Sequence, residues 1–161
     1  MTTIYEFLTA HNIAYQRFDH EAVFTCEQAN ELCPAMPGQS IKNLFLYDKR
    51  TEQHFLIVVP NGKRVDLKEL KMQLGLSNLS FASEERLQKY LGVTPGSVTL
   101  LGLINDIFQM VTVILDVELK DKALQCHPLI NTATLVIAGD AIEKFITLTH
   151  HTYQFLPIAG R

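Results

Sequence analysis

Four short runs, "KNLFLYD" (42–48), "FLIVVP" (55–60), "MVTVILD" (110–116) and "ATLVIAG" (133–139), are apolar almost throughout. Their length and their β-branched and aromatic content mark them as strands. They do not alternate between apolar and polar residues. A strand half-buried against a single core shows that alternation; one that lacks it is covered on both faces. The chain must therefore supply packing layers to both sides of its sheet, which rules out a one-faced antiparallel arrangement and requires helices. The first two runs are separated by the polar turn "KRTEQ" and read as a hairpin.

The helices can be located. In "TTIYEFLTAHN", Ile4, Phe7 and Leu8 fall on one helical face, and Asn12 ends the helix. In "TCEQANELCP", Thr25 and Gln28 have capping-box spacing, and the helix stops before Pro34. "VDLKELKMQLG" has Asp66 as N-cap, Glu69 completing the box and Gly75 as the stop. "SEERLQKYLG" repeats that design from Ser83 to Gly92, and "DAIEKFITLTHH" reads as a closing helix. "AYQRFD" is a short strand and "YQFLP" an edge strand, while Pro95–Gly96 in "VTPGSVTL" predicts a type II turn. Helices interrupt strands without a βαβ rhythm, and no repeat or linker divides the chain. The expectation is a single domain over residues 1–161, of α+β (mixed α/β) class, with helices around a curved central sheet.

Composition narrows the function. The chain has 161 residues, 47% hydrophobic and 19% charged, in the range of ordinary globular domains. No apolar run reaches the roughly 20 residues of a membrane-spanning helix, and the N-terminus lacks a signal-peptide pattern, so the cytoplasm is the expected location. A net charge of −3 does not favour non-specific nucleic-acid binding, and the basic run "GKRVDLKELK" reads as a solvated helix face. The three cysteines, Cys26, Cys33 and Cys126, form no CxxC pair, and no HExxH pattern is present, so neither a disulfide framework nor a metal site is expected. No nucleophile elbow, P-loop or dinucleotide fingerprint occurs. Cys126 beside His127 is expected to be a small buried hydrophobe, because neighbours on a strand face opposite ways.

What remains is a set of polar groups set against apolar strands: Lys42 and Asn43, "TPGS" (94–97), Asn105 with Asp106, and "HPLINTAT" (127–134). Each has a plain structural account. Lys42 can snorkel at a strand end, Asn105–Asp106 can start a turn, and His127 can be a satisfied core histidine. Spacing alone leaves their function open.

The segments "HEAVFTCEQA", "KNLFLYDKR", "DLKELKMQLGLSNLSFASEERLQKYLGVTPGSVTLLGLIND" and "HPLINTATLVI" together resemble the YbaK/prolyl-tRNA synthetase editing-domain family, in its free-standing prolyl-tRNA editing branch. The resemblance runs from about His20 to Phe145 and departs from the family at Glu21, where proline is frequent. It implies a barrel-like mixed sheet and hydrolysis of an aminoacyl ester at a tRNA 3′ end, without metal or organic cofactor. The branch implies alanine as the residue removed from tRNA for proline, with that tRNA's acceptor end as partner and prolyl-tRNA synthetase as a further candidate partner. In this reading Lys42, Gly96 and His127 are the catalytic candidates. Asn43, Ser97, Asn105, Asp106, Asn131 and Thr132 are the substrate-binding candidates. Lys42 anchors the terminal adenosine's phosphate or polarises the ester, the "TPGS" turn presents backbone N–H groups, and His127 orients or acts as base with Asp106 as its candidate carboxylate. Two alternatives stand beside this: deacylation of another mischarged tRNA (a cysteinyl ester on tRNA for proline, or a seryl or alanyl ester), and a non-catalytic tRNA- or synthetase-binding module.

Overall fold

The two apolar runs expected to pair do so. β2 (Ile41–Asp48) and β3 (Gln53–Pro60) form an antiparallel hairpin in unbroken register, from Ile41 opposite Pro60 to Asp48 opposite Gln53. Asp48 closes the turn by accepting hydrogen bonds from the Arg50 N–H and the Thr51 hydroxyl, and the Thr51 bond chiefly holds its carboxyl below the usual range. The computed structural model describes residues 3–21 and 36–161. The helix expected around Thr25–Gln28, with Cys26 and Cys33, lies outside the described residues.

On its other side β3 pairs in parallel with β5 (Val111–Asp116), which pairs in parallel with the edge strand β8 (Tyr153–Leu156). The short β4 (Ser80–Phe81) lines the outer edge of β2, giving the order β4-β2-β3-β5-β8. A second, antiparallel sheet has the order β1-β7-β6, from β1 (Gln16–Asp19), β7 (Ala133–Ile137) and β6 (Leu124–Cys126). The two sheets meet at a parallel bridge between Gln39 and Leu124, where Gln39 N–H donates to Ala123 O and Gln125 N–H to Gln39 O. Neither sheet closes, so the barrel-like description is replaced by two open sheets joined along one seam.

Both faces of the five-stranded sheet are covered, as the unbroken hydrophobicity requires. On one side Phe45, Leu56, Val58, Val113 and Leu115 pack with Leu124, Cys126, Leu135 and Ile137 of the smaller sheet. Helix α1 (Ile4–Ala10) and helix α4 (Gly139–Leu148) complete this large cluster with Leu8 and Phe145. On the other side Leu46, Phe55, Ile57, Val59 and Ile114 pack under Leu70 of α2 (Leu67–Gln73). Each fully buried Leu or Ile contributes about 1.5–3 kcal/mol over an exposed one.

Local rules fix most helix ends. Thr3 caps α1, and Asn12 leaves it at φ +57°. Asp66 caps α2 through Lys68 N–H and Glu69 N–H. The reciprocal half of the expected box is not made, because the Asp66 N–H donates to Ala159 O and ties the chain end to α2. From Ser83, α3 (Glu84–Arg86) runs one turn and then widens into a π-helical turn, Leu87–Leu91. That turn ends where Asn105 Nδ2 donates to Leu91 O at 2.9 Å. Gly92 is required there: it sits at φ +67°, and a Cβ would lie 2.5 Å from Asn105 Nδ2. The type II turn expected at Pro95–Gly96 is instead a 3₁₀ turn, Pro95–Ser97, closed by Ser97 N–H on Thr94 O; Gly96 does not take a positive φ. The basic run is not all solvated surface either. Lys63 is drawn inward to Asp116, Glu118 and Ile158 O, a strut between β5 and the chain end.

Candidate active site

Alternation along β2 sorts its two polar residues. Phe45 belongs to the large cluster and Leu46 to the small one, so Asn43 shares the side of Phe45 and Lys42 the side of Leu44 and Leu46. The same count holds across the seam. Gln39 is bridged to Leu124, whose side chain lies in the large cluster with that of Cys126; Gln125 and the following His127 therefore face the other way. Lys42 and His127 each lie three residues beyond the bridge, and strand alternation sets each on the side opposite the large cluster. Lys42 is half-buried, and its ammonium makes no hydrogen bond or ion pair among the described residues. Asn43 faces inward, with its Oδ1 buried and unpartnered.

His127 is held in one tautomer. Its Nδ1 lies 3.2 Å from Ala133 O, a group that can only accept, so the proton sits on Nδ1 and Nε2 carries the lone pair. Burial pushes its pKa below the ordinary histidine value, with the Ala133 hydrogen bond opposing and the neighbouring His20 adding to the drop. At neutral pH it is an uncharged imidazole with an oriented acceptor. The orienter is a backbone carbonyl; Asp106, the carboxylate expected to serve, is elsewhere.

Asp106 accepts from Val111 N–H at 2.8 Å and from His151 Nε2 at 2.9 Å. Val111 pairs with His54, five residues along β3 from the Val59 that faces Lys42, which is about 16 Å at strand spacing. Asn105 and Asp106 therefore hold the far end of the sheet together and do not meet the Lys42 end. A cleft of about 500 Å³ lies beside them, lined by Phe7, Leu103, Ile104 and Gln109. No hydrogen bond, ion pair or ring contact among the described residues joins Gly96 or the buried Ser97 to Lys42 or His127. Asn131 and Thr132 are closer to the expectation: they sit on the β6–β7 hairpin that carries His127, turned at Leu129 with φ +69°. Cys126 is the buried hydrophobe expected of it; burial pushes its thiol up to about 12, so it holds no thiolate at neutral pH.

Sequence reasoning missed three residues, two beside His127 and one at the far end of the larger sheet. His20 and Thr134 stand on the face of His127, but only the β1–β7 pairing brings them there, and one chain read alone does not reveal strand partners. The third is His54, 2% exposed within the rings of Phe45, Tyr47 and Tyr90. Arg86 stacks 3.7 Å over the Tyr47 ring and donates to His54 Nε2. An arginine cannot accept, so His54 must stay neutral to keep this bond. Burial, then the Arg86 charge, lowers its pKa from 6.5 to about 4. Because the unfolded histidine takes up a proton first, stability present above pH 6.5 is lost as pH falls towards 4. We expect the urea midpoint of the wild type to drop across that window by the equivalent of about 2–3 kcal/mol more than that of His54→Gln, in which the buried His127 still contributes a loss. Parallel profiles for the two proteins would remove His54 as the cause.

Fold and site can now be set beside known proteins. Residues 20–145 match the aminoacyl-tRNA editing domain family, and the chain belongs to that family. Among its relatives is the prolyl-tRNA editing protein ProX of Acetoanaerobium sticklandii, 35% identical over 147 residues, covering 91% of this chain and 90% of that one. The prolyl-tRNA synthetase associated domain-containing protein 1 of Danio rerio is 37% identical over 150 residues, covering 91% and 81%. A crystal structure described as that of a candidate trans-editing enzyme for prolyl-tRNA synthetase superposes with a TM-score of 0.69 over 91% of this chain and 87% of that one. At 18% identity it supports the fold alone.

Proposed function

We propose that the protein is a free-standing aminoacyl-tRNA deacylase that edits mischarged tRNA for proline, with the alanyl ester as its substrate. One observation carries the reading: a half-buried lysine with no hydrogen bond or ion pair among the described residues and a neutral, carbonyl-oriented histidine each stand three residues beyond the bridge that joins the two sheets. The names of the two sequence relatives give the substrate class.

An aminoacyl ester is already activated and has a ribose hydroxyl beside it, so the protein needs no strong nucleophile. Orientation and electrostatics suffice. Lys42 is assigned to the terminal phosphate or the ester oxygen, where a cation stabilises developing negative charge. His127 Nε2 accepts a hydrogen bond from the vicinal hydroxyl or from the attacking water and so fixes its position. Asn131 and Thr132 line the hairpin wall beside it. The chain's discrimination is assigned to size: alanine is smaller than proline, so a steric limit admits the error and rejects the correct product.

The test is a deacylation panel of alanyl-, cysteinyl- and prolyl-tRNA for proline and a seryl ester, with and without chelator. The expected result is fast loss of alanine, slow or no loss of proline, and no chelator effect. Preference for the cysteinyl or seryl ester would move the substrate within the class. Binding of tRNA without turnover of any ester would leave a non-catalytic module.

A further inference from the structure

His127 does not stand alone on its face. In the β6–β7 ladder Cys126 pairs with Leu135, so the next step sets His127 opposite Thr134. Across β7, β1 runs out with His20 N–H donating to Thr132 O at 3.0 Å, which places His20 on the same face one pair along. The His20 ring is fixed at both nitrogens. Nδ1 lies 2.8 Å from Glu21 O and therefore donates; Nε2 lies 2.8 Å from Thr134 Oγ1 and, in the neutral ring, accepts the hydroxyl proton. The two imidazoles then meet edge to face, with centroids 6.4 Å apart and planes at 67°.

We propose that His20 is a positioning residue for the deacylation: clamped by Thr134 and Glu21 O, it forms the wall that sets the angle of the His127 ring and hence the direction of the Nε2 lone pair. This inference rests on the deacylase reading above. The hydrogen bond from Nδ1 to Ala133 O, at 3.2 Å, sets the tautomer and holds the ring from one side; the His20 ring supplies the contact on its other side. His20 is also the titratable group whose charge acts on His127; neither Glu21 beside it nor the outward-facing Lys42 contributes a resolved effect there. The histidine pair is therefore coupled twice, by contact and by charge.

The experiment compares His20→Ala, His20→Gln and Thr134→Val in steady-state deacylation and in an NMR titration of labelled histidines. Glutamine keeps an acceptor for the Thr134 hydroxyl but carries no charge. In His20→Ala and in Thr134→Val, kcat should fall about 10-fold with KM nearly unchanged, the signature of a reacting geometry loosened without loss of binding. His20→Gln should recover most of that loss, while the His127 titration midpoint rises because the neighbouring charge is gone. His20→Gln also guards against misfolding of the alanine variant. Wild-type kcat in His20→Ala, or a His127 midpoint unmoved in His20→Gln, overturns the proposal. A wild-type protein without deacylase activity would count against the proposed function instead, and the titration would still report the contact.

Discussion

Lys42→Ala is expected to lower deacylation about 10- to 1,000-fold, the range seen when a group stabilising transition-state charge is removed. The protein should stay folded. Lys42 is half-buried and makes no hydrogen bond or ion pair among the described residues, so its removal strands no partner there and the stability change should lie within about 0.5 kcal/mol. Lys42→Arg keeps the charge but replaces a compact ammonium by a planar fork on a different reach, and it should recover only part of the rate. Turnover of Lys42→Ala within about twofold of wild type, against the loss expected here, would reduce the residue to a solvated strand end.

The largest stability loss is expected from Asp106→Ala. The His151 and Asp106 side chains are 0% and 2% exposed and 2.9 Å apart. Thr149 Oγ1 lies 2.8 Å from His151 Nδ1, and His151 Nε2 donates to Asp106. Against the cost of burial, the bonds from His151, Met110 N–H and Val111 N–H hold the Asp106 carboxyl below its usual range. Removing the carboxylate strands the His151 Nε2–H and the Val111 N–H together. Each buried donor left without a partner costs about 1–3 kcal/mol. The urea midpoint of Asp106→Ala should fall accordingly, while Asp106→Asn, whose amide oxygen still accepts one of the two bonds, should lose clearly less. Equal midpoints for the two variants would show that the lost acceptor is not the cause.

Features governed by near neighbours were legible from the sequence. The caps at Asp66 and Ser83 depend on three or four consecutive residues, and the hairpin on one turn, and all are where the sequence places them. The opposite facing of Lys42 and Asn43 follows from strand periodicity and also holds. What the sequence did not disclose depends on partners distant along the chain. The Asp66 N–H is taken by Ala159, and the carbonyl of Leu91 by Asn105, whose presence accompanies a π-helical end rather than an α-helical one. Asn105 and Asp106 follow an apolar helix just as site residues would, and only the pairing of Val111 with His54 places them far from Lys42. His20 was passed over for the converse reason: its neighbours in space, Thr134 and His127, are more than a hundred residues away.

The seam at Gln39 and Leu124 bears on how the site can vary. Lys42 belongs to one sheet and His127 to the other, so no continuous ladder of backbone hydrogen bonds measures the span between them. That span is instead a tertiary coordinate, set by how Leu124, Cys126, Leu135 and Ile137 rest against Phe45, Leu56 and Val58. One methylene more or less in that contact would tilt one sheet on the other. On the proposed function, substrate size selection would then be adjustable from beneath, by apolar residues buried in the core.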